Sequence, residues 1–228
     1  ETLARTIYKR YQELFGINIT IEKGEYPAKY VIDIAQALKN RDADKWLNKE
    51  ESFWLKELII FGVDYNLTQI KKTLAKLEIH FDNWFLEHTL HENGSLSNLL
   101  EKYKLLNMLY ESDSAIQSES TKIRRTESKA AMYSHLQEGG VFLKTSLFGD
   151  EEDRVIQRKD KRFVYLTADL AYHDEKYCRN YDMMIDVFGA DHAGHVTRIK
   201  AGMNALGHKV EKLKFVLVQM VQIGRAHV

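Results

Sequence analysis

At 228 residues the chain is long enough for one large domain or two small ones, and 44% hydrophobic with 29% charged residues is an ordinary globular composition. Basic and acidic residues number 33 each, which argues against a surface that grips nucleic-acid phosphate over most of its area. The single cysteine, Cys178, excludes an internal disulfide and a thiolate metal cluster and fits a reducing, cytoplasmic setting, and no apolar run approaches the roughly 20 residues that span a bilayer.

The first third reads as helical. The chain opens on Glu1-Thr2-Leu3-Ala4-Arg5, within an amphipathic pattern without signal-peptide character, and its lack of an initiator methionine suggests a truncated start. Ile7, Tyr11, Leu14 and Phe15 share one helical face, and Gly16 is placed to end that helix. Pro27 suits the first turn of a second helix carrying Tyr30, Ile34 and Leu38. Leu47, Trp54, Leu58 and Phe61 form a third stripe closed by Gly62. Asp64 then caps a fourth helix, whose Leu67, Ile70, Leu74 and Leu77 are expected to be core.

The pattern then shifts. Ile79 to Phe85 alternates as short strands do, Asn93-Gly94 is a turn, and Leu96, Leu99, Leu100 and Tyr103 begin another helix. Residues 111–130 are polar and charged without an apolar period, as in a solvated loop. Their Lys122, Arg124 and Arg125 are diluted by Glu119 and Glu127, which favours a plain linker over a phosphate contact.

From Val141 onward the pattern is α/β. Val141–Leu143, Arg154–Ile156 and Phe163–Leu166 are expected as strands separated by turns at Phe148–Asp150 and Lys159–Lys161, with a helix from about Asp169. The nearly continuous apolar run Met183–Phe188 predicts a strand covered on both faces. It ends in Gly189-Ala190-Asp191-His192, followed by a helix with Val196, Ile199, Met203 and Leu206 that Gly207 stops. Phe215–Val221 supplies a second buried strand. Strand, helix and strand in this order form a βαβ unit, hence a parallel sheet. The fold class expected is α/β: a partial Rossmann-type parallel sheet in the second half, preceded by a mainly helical insertion region. Its expected divisions are a helical region at 1–78 and a mixed α+β insertion at 79–158. Residues 159–222 form the half-Rossmann region. Residues 223–228, Ile223-Gly-Arg-Ala-His-Val228, read more like a translated sequencing adapter than a natural tail and are left out of the fold.

Ligands of open parallel sheets bind at the carboxyl ends of the strands, and two polar clusters fall there. In Gly189-Ala190-Asp191-His192, with His195 a turn further, glycine allows close backbone approach. Asp191 can accept hydrogen bonds from ribose hydroxyls or an amino group, and the helix start adds free N–H groups. Asp-His-x-x-His would need a third ligand to hold a metal, and Asp191 or His192 as a helix N-cap remains an equal alternative. In Tyr165-Leu-Thr-Ala-Asp169 a carboxylate and a phenol four positions apart can converge on a guanidinium. Spacing alone favours Thr167 or Asp169 as a cap. There is no phosphate-binding glycine loop, Ser-His-Asp order or HExxH pair, and no identifiable nucleophile.

At these residues the chain resembles arginyl-tRNA synthetases. The blocks are Gly24-Glu-Tyr26, Ile32–Ala35, Phe81–Glu87, Asp153–Val155, Tyr165–His173, Tyr181-Asp182, Ile185-Asp186, Gly189–His192 and Leu217–Val221, in the family's order. The resemblance implies a class I synthetase with a Rossmann-type catalytic fold, which activates arginine with Mg-ATP to an adenylate and transfers it to tRNA(Arg). It implies that Tyr165, Asp169 and His192 bind arginine and that Gly189, Asp191, Gln219 and Met220 bind ATP or the adenylate. No side chain is assigned as a catalytic group and no protein-bound metal is implied; the complete protein is expected to be monomeric and unattached to membranes. Neither the HIGH-type nor the KMSKS-type motif occurs, so the polypeptide alone is expected to be inactive. Ala193 replaces a frequent second histidine, and 111–135 resembles a lineage-specific insertion. The alternative is a non-catalytic synthetase paralogue that acts as a binding module.

Overall fold

The first helix, α1 (Thr2–Glu13), forms where the apolar period predicts it, and Gly16, at φ +82°, closes it. The amide of Ile17 reaches back to the Gln12 carbonyl across that glycine, a conformation that costs other residues strain. The computed structural model describes residues 1–113 and 139–220; the polar segment at 111–135 is therefore described only through Asp113, and the tail at 223–228 lies outside the described residues. The chain divides into two compact units, Glu1–Trp84 and Phe85–Val228.

The first unit packs α1 with α2 (Tyr30–Asp42) and α3 (Glu51–Ala75). Ile7, Tyr11, Ile34, Leu38, Trp54 and Leu58 form its core, and Tyr8 stacks on Trp54 with ring centroids 4.0 Å apart. The Tyr8 hydroxyl donates to the Trp46 carbonyl at 3.1 Å, so the polar end of a buried ring is satisfied.

Four expectations are corrected here. Pro27 precedes the second helix, which begins at Tyr30, so it sits in the entering loop rather than the first turn. Gly62 does not close a helix: α3 runs straight through it, so Asp64 caps nothing. A Cβ at Gly62 would stand 2.6 Å from Ile7 Cδ1, so its use is close helix approach. The Leu67–Leu77 stripe is not core. Ile70 is 46% and Leu77 68% exposed, because α3 extends past the residues that α1 and α2 cover. The strands expected over Ile79–Phe85 are also absent from the described residues. Glu78, at φ +57°, ends the turn after α3, and the following backbone is irregular.

In the second unit, α4 (His88–Glu92) and α5 (Ser95–Leu105) precede an antiparallel sheet of β1 (Leu109–Ser112), β2 (Gly140–Leu143) and β3 (Arg154–Arg158), in that order. The segment Phe163–Leu166 is not a strand: Phe163 makes a single bridge to Gln157, and α6 (Tyr165–Cys178) starts two residues later. Leu166, Leu170 and Ala171 repeat at helical spacing and are buried on α6, which outweighs the local strand propensity. Beyond it, β4 (Met184–Gly189), a 3-10 turn (Ala190–His192), α7 (Ala193–Ala205) and β5 (Leu213–Val218) form the expected βαβ unit. The strands pair in parallel, from Met184 opposite Leu213 to Gly189 opposite Val218.

The core joins Leu99, Tyr103, Leu143, Ile156, Leu170, Ile199, Met203 and Leu213. One expectation fails here as well. Ile185 and Val187 are 59% and 65% exposed, so among the described residues the β4–β5 pair is covered on one face. Successive strand residues point to opposite faces, and Met184, Asp186 and Phe188 take the covered one. The chain is thus mixed α/β, with two small sheets among its described residues. No described helix is long and apolar enough to cross a membrane.

Candidate functional site

The first turns of α6 carry the cluster that begins at Tyr165. Val164 is the N-cap residue, extended and without a side-chain capping bond. Thr167 does not cap the helix: its hydroxyl is buried and donates to the Ile156 carbonyl of β3. Asp169 lies inside the helix, a turn beyond Tyr165, so it does not cap either. The Asp169 carboxyl is therefore left for another task. Tyr165 is 84% exposed, whereas the Asp169 side chain is half-buried, with 47% exposed.

Burial raises the Asp169 carboxyl above its ordinary range, against the opposing pull of His195 and His173. The Asp169 Oδ2 to His195 Nδ1 separation is 3.9 Å, too long for a hydrogen bond but close enough for charge coupling. Burial, reinforced by the nearby Arg198, lowers His195. The pair is a half-desolvated carboxyl beside an imidazole that favours its neutral form, an environment into which a cation would fit.

The second cluster stands where β4 gives way to the 3-10 turn. Gly189 is followed by Asp191, whose carboxylate folds back so closely that a Cβ on Gly189 would lie 2.5 Å from Asp191 Oδ1. Here glycine provides room rather than an unusual φ. His192 is the N-cap residue of α7 but makes no side-chain capping bond, so the capping alternative for this pair is not realised. Its Nε2 is 3.6 Å from Asp191 Oδ2, and its ring lies 5.4 Å from that of His195. Asp191 is 81% and His192 56% exposed in their side chains.

His195 thus connects the two clusters, adjoining Asp169 on one side and His192 on the other. Gln219 and Met220 directly follow Val218, the partner of Gly189 in the parallel ladder, and Met220 is 85% exposed. Tyr165 shares the first turns of α6 with Asp169 but makes no ring contact with either histidine of the cluster. Among the described residues no group of three or more His, Cys, Asp or Glu is arranged to hold a metal ion.

Beneath these residues lies a network that spacing did not single out. His173, one turn after Asp169, is buried; its Nδ1 is 2.6 Å from the Asp169 carbonyl and its Nε2 is 2.7 Å from Asp186 Oδ2. Lys176 Nζ donates to the other oxygen, Asp186 Oδ1. Burial disfavours the Asp186 charge, but the hydrogen bonds from His173 and Lys176 prevail and hold the carboxyl below its ordinary value. The available signal was a lone acid within the apolar run Met183–Phe188, which needs a partner once buried.

No family model matches the chain. Among curated proteins, the arginine–tRNA ligase of Magnetococcus marinus is 38% identical over 228 residues, covering 99% of this chain and 38% of the relative. That of an Anaeromyxobacter species is 36% identical over 234 residues, again 99% of this chain and 38% of the relative. The chain therefore spans less than two fifths of the length of these relatives. A solved structure from Campylobacter jejuni, named for an arginyl-tRNA synthetase, superposes with a TM-score of 0.75 at 27% identity over 94% of this chain and 41% of that one. The Thermus thermophilus arginyl-tRNA synthetase, with a TM-score of 0.59 and 14% identity, agrees in fold alone.

Proposed function

The chain belongs to the arginyl-tRNA synthetase family, and from that premise we propose that it contributes the arginine pocket and part of the adenylate site of an arginine–tRNA ligase. The observation that carries this reading is Asp169. It is a half-buried carboxyl, raised by desolvation, whose nearest charge partner among the described residues is a histidine rather than a lysine or arginine. A substrate guanidinium restores the charge balance of such a group through two parallel hydrogen bonds. Tyr165, a turn earlier and open to solvent, supplies a phenol for the same side chain, and His192 a further polar contact.

Gly189, Asp191, Gln219 and Met220 line the ends of β4 and β5 and bind ATP or the adenylate, with Asp191 accepting from hydroxyl or amino groups. The parallel pair is part of a Rossmann-type sheet, and strand ends of that kind are where nucleotides bind. ATP enters as its magnesium complex, a substrate rather than a resident cofactor. The complete protein activates arginine, passes it to tRNA(Arg), and works as a cytoplasmic monomer.

The 228 residues contain neither a HIGH-type nor a KMSKS-type motif. Those segments stabilise charge on the transferring phosphates, so this polypeptide alone is not expected to turn over. The test is ATP–pyrophosphate exchange with tRNA(Arg) present, across a panel of amino acids, in the complete natural polypeptide containing these residues. Arginine-dependent exchange there, and none with the 228-residue chain, supports the proposal. Exchange driven by another amino acid refutes the arginine pocket, and none with any amino acid favours a binding module.

A further inference from the structure

We propose that His173 is a positioning residue, tethering the helix that carries Tyr165 and Asp169 to the strand that carries Gly189 and Asp191. This inference rests on the arginine-pocket reading and gives it a mechanical basis. Apolar packing alone allows a helix to slide or rotate on a sheet, whereas hydrogen bonds to a buried charge fix one register. His173 makes such bonds in two directions: its Nδ1–H is donated to the Asp169 carbonyl within α6, and its Nε2 meets the Asp186 carboxylate on β4.

The placement suits this role. His173 lies one helical turn from Asp169, and Asp186 lies three residues before Gly189, so the tether sits directly behind both halves of the site. Its ring also stacks near Phe215 of β5, with centroids 6.3 Å apart, so β5 is held against the same group. Both ring nitrogens face oxygen atoms, so the ring is held from two directions. Lys176 occupies the remaining Asp186 oxygen and leaves the carboxylate little freedom to rotate. His173 touches neither substrate in this scheme. It acts by fixing where Asp169 stands relative to the strand ends, and small misplacements of reacting groups cost rate steeply.

The experiment measures arginine KM, ATP KM and kcat for exchange in the complete natural polypeptide, for wild type, His173→Phe, His173→Gln and Asp169→Asn, with thermal midpoints recorded. Phenylalanine keeps the ring but removes both hydrogen bonds, and glutamine restores a donor towards Asp186. The expected result for His173→Phe is an arginine KM raised about tenfold with ATP KM within about twofold of wild type, and His173→Gln intermediate. If His173→Phe does not fold, His173→Gln is judged alone, with an arginine-selective rise of about threefold expected. Unchanged KM values with a lower kcat indicate loss of active protein, and a parallel rise in both KM values indicates general disruption; either overturns the tether. Should Asp169→Asn leave arginine KM unchanged, the arginine pocket itself falls, whatever the His173 variants do.

Discussion

Asp169 and Asp186 lie on facing elements of one unit, and their surroundings push them in opposite directions. Burial raises Asp169, and among the described residues no hydrogen-bonding cation compensates. Arginine binding requires its ionised form, so affinity should weaken as pH falls into the raised titration range. Arginine KM in the complete protein should therefore climb towards acid pH in the wild type and stay flat in Asp169→Asn, already weak at neutrality. Asp186 behaves inversely. Burial opposes its charge, yet His173 and Lys176 hold it below the ordinary 3.8. Its folded value is depressed, so its contribution to stability is complete above the ordinary value and is lost as pH falls through the folded one. Replacing Asp186 with Asn should destabilise the fold at neutral pH by about 1–3 kcal/mol and reduce the loss of stability in acid, as measured by thermal melts across pH. Spacing located Asp169 and Asp191 but left their capping role open. Only the backbone decides that Asp169 falls inside α6 and that His192 makes no cap bond. His173 escaped because a buried histidine has no distinctive sequence pattern until its acceptors are known.

The helices show the same asymmetry between pattern and packing. Apolar periodicity gave α1, α5 and α7, and the parallel pairing of β4 with β5 followed from strand order. Periodicity placed Gly16 and Gly207 correctly at helix ends but misjudged Gly62, because glycines end some helices and allow contact between others. Gly202 in α7 is of the second kind: a Cβ there would meet Leu170 Cδ2 at 2.4 Å and the Tyr103 hydroxyl at 3.1 Å. Leu170 and Tyr103 are fully buried, and the Tyr103 hydroxyl donates to the Gly202 carbonyl at 3.0 Å, so neither has room to yield. Gly202→Ala should cost about 1–3 kcal/mol in chemical denaturation. At Gly62 only one side-chain end, Ile7 Cδ1, stands too close; Ile7 is also buried, but no hydrogen bond fixes it as one fixes the Tyr103 hydroxyl, and alanine gains helix propensity. Gly62→Ala should remain within about 1 kcal/mol of wild type. Equal losses at both sites would contradict this distinction.

Across the molecule, the unburied surface is as informative as the core. Ile185, Val187, Val216 and Val218 alternate along one face of the β4–β5 pair, each at least 47% exposed. The expectation of a strand covered on both faces came from a sequence composed for such coverage, and the described residues supply one side of it. A contiguous apolar face of this kind binds hydrophobic dyes and promotes association. The 228-residue chain should therefore bind such a dye, and the double substitution Val187→Thr with Val216→Thr should reduce dye binding and aggregation with little change in thermal midpoint. The arginine pocket stands or falls with the role of Asp169. A crystal structure of the complete natural polypeptide with arginine bound tests that directly. The guanidinium is predicted to lie against the Asp169 carboxylate through paired hydrogen bonds, with the Tyr165 hydroxyl beside it. A guanidinium seated elsewhere, with Asp169 turned to solvent or to His195, would contradict the proposed site.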